Sequence, residues 1–254
     1  MKSCLSRLHR TIVIVFVWAA SSAMAESATA VAAGETTEGV DPGISVYASQ
    51  QVESASEVLD RLFANHPAAW AVFHDLLRDA HGFAVFPNLT KAGFILANIY
   101  GRGVLTYRNE DGGWGPPILL TLQGYSLGPQ FGLQVSDVLV VLKTRRSLEG
   151  LLAGTPRSGM DVLPLGSGQP PTPDGEAEIV SYALRRGLMV GQSIDEYVVR
   201  IDEPGNLTLY GQTLPAGEIA RGTRVGLRLP VPAQKFVERV NLLSGRPAGA
   251  IEWR

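Results

Sequence analysis

Cysteine is nearly absent from this 254-residue chain: Cys4 is the only one, and it sits among basic residues close to the amino terminus. A chain that loses this segment keeps no sulfhydryl, which excludes disulfides, thiolate catalysis and cysteine-ligated metal sites together. An excess of positive charge is also missing. Lys and Arg total 22 against 24 Asp and Glu, a formal charge of −2. That balance argues against bulk attraction to nucleic acid, so no nucleic-acid partner is expected. Histidine is scarce too, with His9, His66, His74 and His81 all lying in the first third of the chain. No repeat of fixed period is present, which excludes solenoids and propellers.

The one long apolar run is Thr11-Ile-Val-Ile-Val-Phe-Val-Trp-Ala-Ala20, preceded by Lys2, Arg7 and Arg10 and followed by Ala23-Met-Ala25. It falls well short of the ~20 residues of a spanning helix. The basic flank and the small residues before a cleavage point predict a secretory signal peptide over residues 1–25, cut after Ala25. A lipoprotein cysteine would follow the apolar run, whereas Cys4 precedes it, so lipid anchoring is not expected. Loss of the three basic residues leaves 19 against 24 acidic ones, a charge of −5. The expected destination is the periplasm or the exterior, with no transmembrane helix in the mature chain.

Residues 26–48 are rich in Ala, Thr, Glu and Gly and predict a flexible leader, because they hold too little apolar surface to offset the entropy of ordering. Residues 49–250 then read as one domain. Val52, Ala55, Leu59 and Leu62 recur at helical spacing, and Pro67 opens a second helix. From Gly82 the period changes to two, predicting strands over Phe83–Phe86, Gly93–Tyr107, Ile118–Gln134 and Val138–Leu142, with a turn at Asn109–Gly113. A short helix is expected over Ser147–Leu152, a loop over Thr155–Pro173, a helix over Glu176–Arg186, strands over Val198–Ile201 and Leu207–Tyr210, and a final helix over Pro232–Leu243. Gly124, Gly128 and Gly132 recur every four residues, as do Gly93, Ala97 and Gly101. On a strand such residues share a face, so these strips predict bends or the close approach of another backbone.

The stretch Ala80-His-Gly-Phe-Ala-Val-Phe-Pro-Asn-Leu-Thr-Lys-Ala-Gly-Phe94 carries Gly82, Phe83, Phe86, Pro87, Thr90, Lys91, Ala92, Gly93 and Phe94 in a long ordered pattern. Further pieces follow in order: Gly101 and Gly103, Gly113-Trp114 with Pro116, Ser136-Asp137-Val138, Glu178–Tyr182, Arg186-Gly187-Leu188 and Tyr210-Gly211. Together they resemble the signature of the SYLF domain family over about residues 50 to 245. The family's Gly-Gly-x-Tyr-Gly reads Ala97-Asn-Ile-Tyr-Gly101 here, and its Phe-Ala-Gly reads Met189-Val-Gly191. The resemblance implies a non-catalytic, lipid-associated domain, since eukaryotic members bind phosphoinositides and some bind actin, while bacterial members are exported.

Three motifs invite chemistry. Gly124-Tyr-Ser-Leu-Gly128 fits the nucleophile elbow, but no histidine follows Ser126 and the next residues alternate like a strand rather than opening a helix. His66, His74 and His81 lack the close pair of a zinc site, and Asp195-Glu196 and Asp202-Glu203 lack a calcium-loop pattern. Gly101-Arg-Gly103 has neither a third glycine nor a strand-to-helix context. The expectation is therefore no catalytic residue, no metal and no cofactor.

Lys91, Arg102, Lys143, Arg145 and Arg146 remain as candidates for anionic headgroup binding, since forked arginine donors at a domain rim suit phosphate. The helix from Gln50 carries Glu53, Glu57 and Asp60 against Arg61, the wrong sign for anionic lipid, and is expected to pack on the sheet. The fold class expected is α+β, a curved and largely antiparallel sheet covered by helices. The function expected is binding of phospholipid or another envelope component, with a purely protein partner as the alternative.

Overall fold

The computed structural model describes residues 42–65, 67–109, 112–154, 157–158, 162–164, 178–191, 194–221 and 229–245. Within them the strands are far longer than ordinary ones. β1 runs Gly82–Tyr107 and β2 runs Ile118–Leu142, paired antiparallel from Gly82↔Leu142 to Leu105↔Ile118. The separate strands expected from the sequence thus merge into two. β5 (Ile179–Gly191) and β6 (Ile194–Ile201) line the other edge of β2, and their registers are continuous, Gly191↔Gln130 and Ile194↔Leu127. β3 (Arg157–Ser158) adds antiparallel to β6, and β4 (Val162–Pro164) adds parallel to β5. The sheet is mostly antiparallel and, with six helices among the described residues, makes the α+β class expected.

No strand of this length stays straight, and glycine shows where it turns. β1 doubles back on itself, so that the Arg108 N–H donates to the His81 carbonyl at 2.9 Å. A methyl group on Gly103 would lie 2.4 Å from Phe86 Cδ1 and 2.8 Å from the Val85 carbonyl oxygen, and one on Gly101 would lie 2.5 Å from Leu89 Cδ1. Only a residue without Cβ lets the two limbs of β1 come this close. Near the strand ends both faces are covered: Gly82–Phe86, Gly103–Tyr107 and Ser136–Leu142 are continuously buried.

The helices close those covered ends. α1 (Pro42–Asn65) buries Ala48, Val52, Ala55, Leu59 and Leu62, and Gln51 Nε2 donates to the carbonyls of Gly103 (2.6 Å) and Leu120 (3.3 Å), holding the helix on β1 and β2 at once. It starts at Pro42 rather than near Gln50, because proline fits the first helical turn, where no N–H is needed. The last residues expected to form the leader are therefore helical; the signal segment and residues 26–41 lie outside the described residues, as does most of the expected loop at 155–173. α2 (Pro67–Asp79) ends under Arg108, whose guanidinium donates to the carbonyls of Leu77 (2.6 Å), Arg78 (3.1 Å), Ala80 (3.0 Å) and Gly112 (2.8 Å). α3 (Arg145–Leu152), α5 (Ala216–Arg221) and α6 (Val231–Leu243) complete the cover, α6 through Ala233, Phe236, Val237 and Val240.

Two elements differ in type from the sequence expectation. Glu176–Arg186, expected as a helix, contributes strand β5: the bare edge of β2 offers thirteen rungs of pairing, and this tertiary demand outweighs the Ala, Glu and Arg content. Leu207–Tyr210, expected as a strand, lies in helix α4 (Glu203–Tyr210). Asp202 caps it by accepting from the Gly205 N–H at 3.0 Å, Pro204 sits in its first turn, and Gly211 ends it at φ 69°. Asn206 of this helix then completes β2, accepting from the Leu119 N–H at 2.9 Å and donating to its carbonyl at 3.0 Å.

Candidate functional site

The two long strands turn at one level. In β1 the turn is Phe94-Ile95-Leu96, with Ile95 in the left-handed region at φ 61°, a conformation that a β-branched residue adopts only when its surroundings impose it. In β2 the register steps from Phe94↔Phe131 to Leu96↔Leu127, so Gly128-Pro129-Gln130 bulges opposite Ile95. On the other edge of β2, Gly191 ends β5 opposite Gln130 and Ile194 begins β6 opposite Leu127. The outside of this corner carries Phe94, Ile95, Leu96, Leu127, Phe131 and Leu133, between 52% and 68% exposed, with the Phe94 and Phe131 rings edge to face at 6.2 Å. So large a cluster of exposed apolar side chains marks an interaction surface.

The inside of the corner is polar. Lys91 Nζ donates to Asp195 Oδ1 (2.8 Å) and Oδ2 (3.1 Å), joining the limb before the turn to the limb after it. Ser126 is fully buried, its Oγ 2.5 Å from Asp195 Oδ1 and 3.0 Å from Gln130 Oε1, while Gln130 Nε2 donates to the Ile95 carbonyl at 3.3 Å. Ser126 therefore stands mid-strand in a strut that braces the bend, with none of the strand-to-helix context of a nucleophile elbow. Removing one charge of such a pair costs more than the pair contributes.

The five basic candidates do not come together. Lys91 is spent inside the corner. Lys143, Arg145 and Arg146 lie beyond the Leu142↔Gly82 rung, and Lys91 is nine residues further along β1, about 30 Å at ~3.3 Å per residue. Arg145 Nε donates to Glu149 at 2.9 Å within α3, and Arg146 beside it is exposed. Arg102 is on the second limb of β1.

The signature residues explain the fold instead. Phe86↔Val138 and Leu89↔Ser136 flank a bulge at Pro87-Asn88, and Asp137 stands opposite it. Asp137, 1% exposed, accepts from the Asn88 N–H at 3.0 Å and from Arg186 at 3.1 Å, with Arg61 at 3.7 Å. Thr90 Oγ1 donates to the Asn88 carbonyl at 3.1 Å, tightening the same bulge. Trp114 is buried, donating to Ser244 Oγ at 3.0 Å, edge to face with Phe83 at 5.1 Å and beneath the Arg108 guanidinium at 4.6 Å. Gly113 accepts from the Asn109 N–H at 3.0 Å in the expected turn, with Pro116 buried next to it.

Behind the turn, the second limb presents an outward face of which sequence reading singled out only Arg102 and Glu196. Its rungs are Asn98–Tyr125–Glu196, Tyr100–Gln123–Val198 and Arg102–Thr121–Arg200. The Tyr125 hydroxyl bonds Glu196, which raises its pKa. The Arg102 guanidinium lies 4.1 Å over the Tyr47 ring and 5.9 Å from that of Tyr100. Burial foremost, then the Asp202 charge, holds the Tyr47 phenol well above its ordinary range, and its hydroxyl donates to Asp202 at 3.2 Å. Nothing local in the sequence relates residues 47, 102 and 200; the register joins 102 to 200 through Thr121, and the packing of α1 brings Tyr47 to Arg102.

Among the described residues no group of three or more His, Cys, Asp or Glu stands together to hold a metal, and no helix is long and apolar enough to cross a membrane. Residues 123–241 match the family model described as Ysc84, Las17-binding protein actin regulator. The chain is 27% identical over 157 residues to LAS seventeen-binding protein 3 of Saccharomyces cerevisiae, covering 58% of this chain and 34% of that one. It is 28% identical over 166 residues to SH3 domain-containing YSC84-like protein 1 of Homo sapiens, covering 63% of this chain and 47% of that one. The chain thus spans a third to a half of the length of these curated relatives. No solved structure matches it. The ordered signature, the matched family model and these relatives agree: the chain is similar to members of the SYLF domain family.

Proposed function

We propose that this chain is a non-enzymatic binding module of a bacterial cell envelope, exported by its first 25 residues, that engages lipid surfaces bearing anionic headgroups. The observation that carries this reading is the turn of the sheet, where six large apolar side chains stand exposed on a convex apex. A convex apex offers no groove for a globular partner, whereas a lipid surface demands none. Tyr100 and Tyr125 follow it along the second limb, as amphipathic rings do at a membrane interface, and the exposed Arg102 and Arg200 follow them.

Co-sedimentation of residues 26–254 with neutral and anionic vesicles, at low and physiological salt, tests it. Pelleting that Phe94→Ser/Phe131→Ser abolishes supports apex-led binding. Dependence on Arg145→Ala/Arg146→Ala and on salt would instead place the headgroup contact at the start of α3. Failure to pellet with any vesicle sinks the lipid reading.

A protein partner is the second reading, favoured by the Las17-binding description of the family model. The apex would then be the apolar centre of a protein interface, insensitive to salt and captured by pull-down from envelope extract.

A further inference from the structure

We infer that Asp195 makes the corner an acid-operated switch, in which one proton exchanges a tie between the two limbs for a tie within the bulge behind the apex. The corner is one hydrogen short. Ser126 Oγ lies 2.5 Å from Asp195 Oδ1 and 3.0 Å from Gln130 Oε1, and a hydroxyl has a single hydrogen to donate. Gln130 cannot make good the shortfall by turning its amide over. Its Nε2 already donates to the Ser126 carbonyl at 2.8 Å and to the Ile95 carbonyl at 3.3 Å, and a flip would set oxygen against both. Ser126 is the one donor to Gln130 Oε1 among the described residues, and both side chains are buried. A buried acceptor left without a hydrogen is costly.

Two arrangements follow. At neutral pH the carboxyl is ionised, Lys91 Nζ holds its oxygens at 2.8 and 3.1 Å, and the Ser126 hydroxyl turns to the shorter of its two contacts. The first limb is then tied to β6, while Gln130 Oε1 goes without a donor. With a proton on Asp195, the carboxyl donates to Ser126 Oγ and the hydroxyl turns to Gln130 Oε1. The bulge is then fully bonded, and the polarised Gln130 amide grips the Ile95 carbonyl more firmly. What is lost is the ion pair across the corner, since a neutral carboxyl holds an ammonium more weakly. Ile95, held at φ 61°, carries the change to the apex. Among the described residues Lys91 is the charged group that faces Asp195 from β1, and β2 brings the uncharged Ser126 and Gln130. Within β6, Glu196 points to the opposite face, where the Tyr125 hydroxyl bonds it, and the buried Tyr197 shares the Asp195 face.

Nuclear magnetic resonance on the isotope-labelled chain tests the switch, with pH lowered from about 7 to about 3, across the ordinary carboxylate range. The Asp195 carboxyl carbon, the Ile95 and Gln130 backbone amides and the Gln130 side-chain amide are followed together. The expected result is one shared midpoint, with solvent exchange of the Gln130 side-chain amide slowed about fivefold once Asp195 is protonated, the worth of one net hydrogen bond. Asp195→Asn is read at neutral pH, because its amide donates to Ser126 Oγ as the protonated acid does. Its Ile95 and Gln130 signals are expected at the acid position of the wild-type chain and no longer move with pH. Gln130→Leu leaves Asp195 and Lys91 in place, so the carboxyl still titrates while the step at Ile95 is lost. Ile95 and Gln130 signals that stay still as Asp195 titrates, that still move in Asp195→Asn, or that keep their neutral wild-type position in that variant overturn the inference. The switch is the same whether lipid or protein meets the apex, so vesicles that fail to pellet sink the lipid reading alone.

Discussion

The covered ends of the long strands and their exposed turn share residue types, pairing and backbone, yet behave as different materials. At the ends, Phe83, Phe86, Val104, Leu120 and Val141 are buried within a doubled-back β1, β2 and their helices. At the turn, Phe94, Leu127 and Phe131 have the same chemistry and face solvent. What differs is the cover. The ends are closed by Gly101 and Gly103 on one side and by Gln51, Trp114 and Arg108 on the other, while the turn is braced only from inside by Lys91, Asp195, Ser126 and Gln130. Apolar content alone does not make a core; the approach of a second layer does.

Four variants would break or sharpen that contrast. Gly103→Val acts where the limbs meet: its Cβ falls on the Phe86 ring and the Val85 backbone, so a loss of about 3 kcal/mol, or failure to fold, is expected in denaturant titration. Asp137→Ala removes the buried carboxylate shared by the Asn88 N–H and two half-exposed arginines, and is expected to cost about 2 kcal/mol by the same measurement.

Tyr182→Phe acts in the opposite direction. The Tyr182 hydroxyl is buried without a hydrogen-bond partner among the described residues, and burial pushes its pKa up to about 12. The unfolded phenol ionises from about pH 10, whereas the folded one stays neutral. Its contribution is therefore intact below pH 10 and is lost as pH rises toward 12. Tyr182→Phe is expected to flatten the alkaline slope of the melting temperature and, by removing an unpaired hydroxyl, to add about 1 kcal/mol at neutral pH. Phe94→Ser/Phe131→Ser at the turn should move stability least, by roughly 0.5 kcal/mol per site or less, while abolishing vesicle pelleting. A large loss of stability in that pair would show the apex to be part of the core and end the comparison.

Reading the chain alone located the β-rich centre at Gly82, both terminal helices and the turn at Asn109–Gly113, because hydrophobic period and turn residues are local signals. The spaced glycines were read as points of bending or close approach, and the limbs of β1 do meet at Gly101. Glu176–Arg186 was misread because its composition favours a helix while a distant strand edge decides otherwise. Helix α4 was missed although Asp202, Pro204 and Gly211 are ordinary start and stop signals; the apolar alternation of Leu207–Tyr210 masked them. For the site, sequence reading named Arg102 but grouped it with Lys91 and the 143–146 cluster, which the ladder keeps apart. Thr121 and Arg200 carry no mark in sequence, since they meet Arg102 only through the pairing of β1, β2 and β6, and Tyr47 reaches it only through the packing of α1.

The sequence by itself determined where strand and helix periodicity change, the absence of sulfhydryl chemistry from everything beyond Cys4, and an ordered signature sufficient to indicate the family. Tertiary structure alone decided which apolar residues are covered, which cations are spent in internal pairs, and that two long strands turn together with phenylalanine and leucine outward. Propensity and pattern act over a few residues, whereas burial and pairing depend on which distant backbone arrives to complete them.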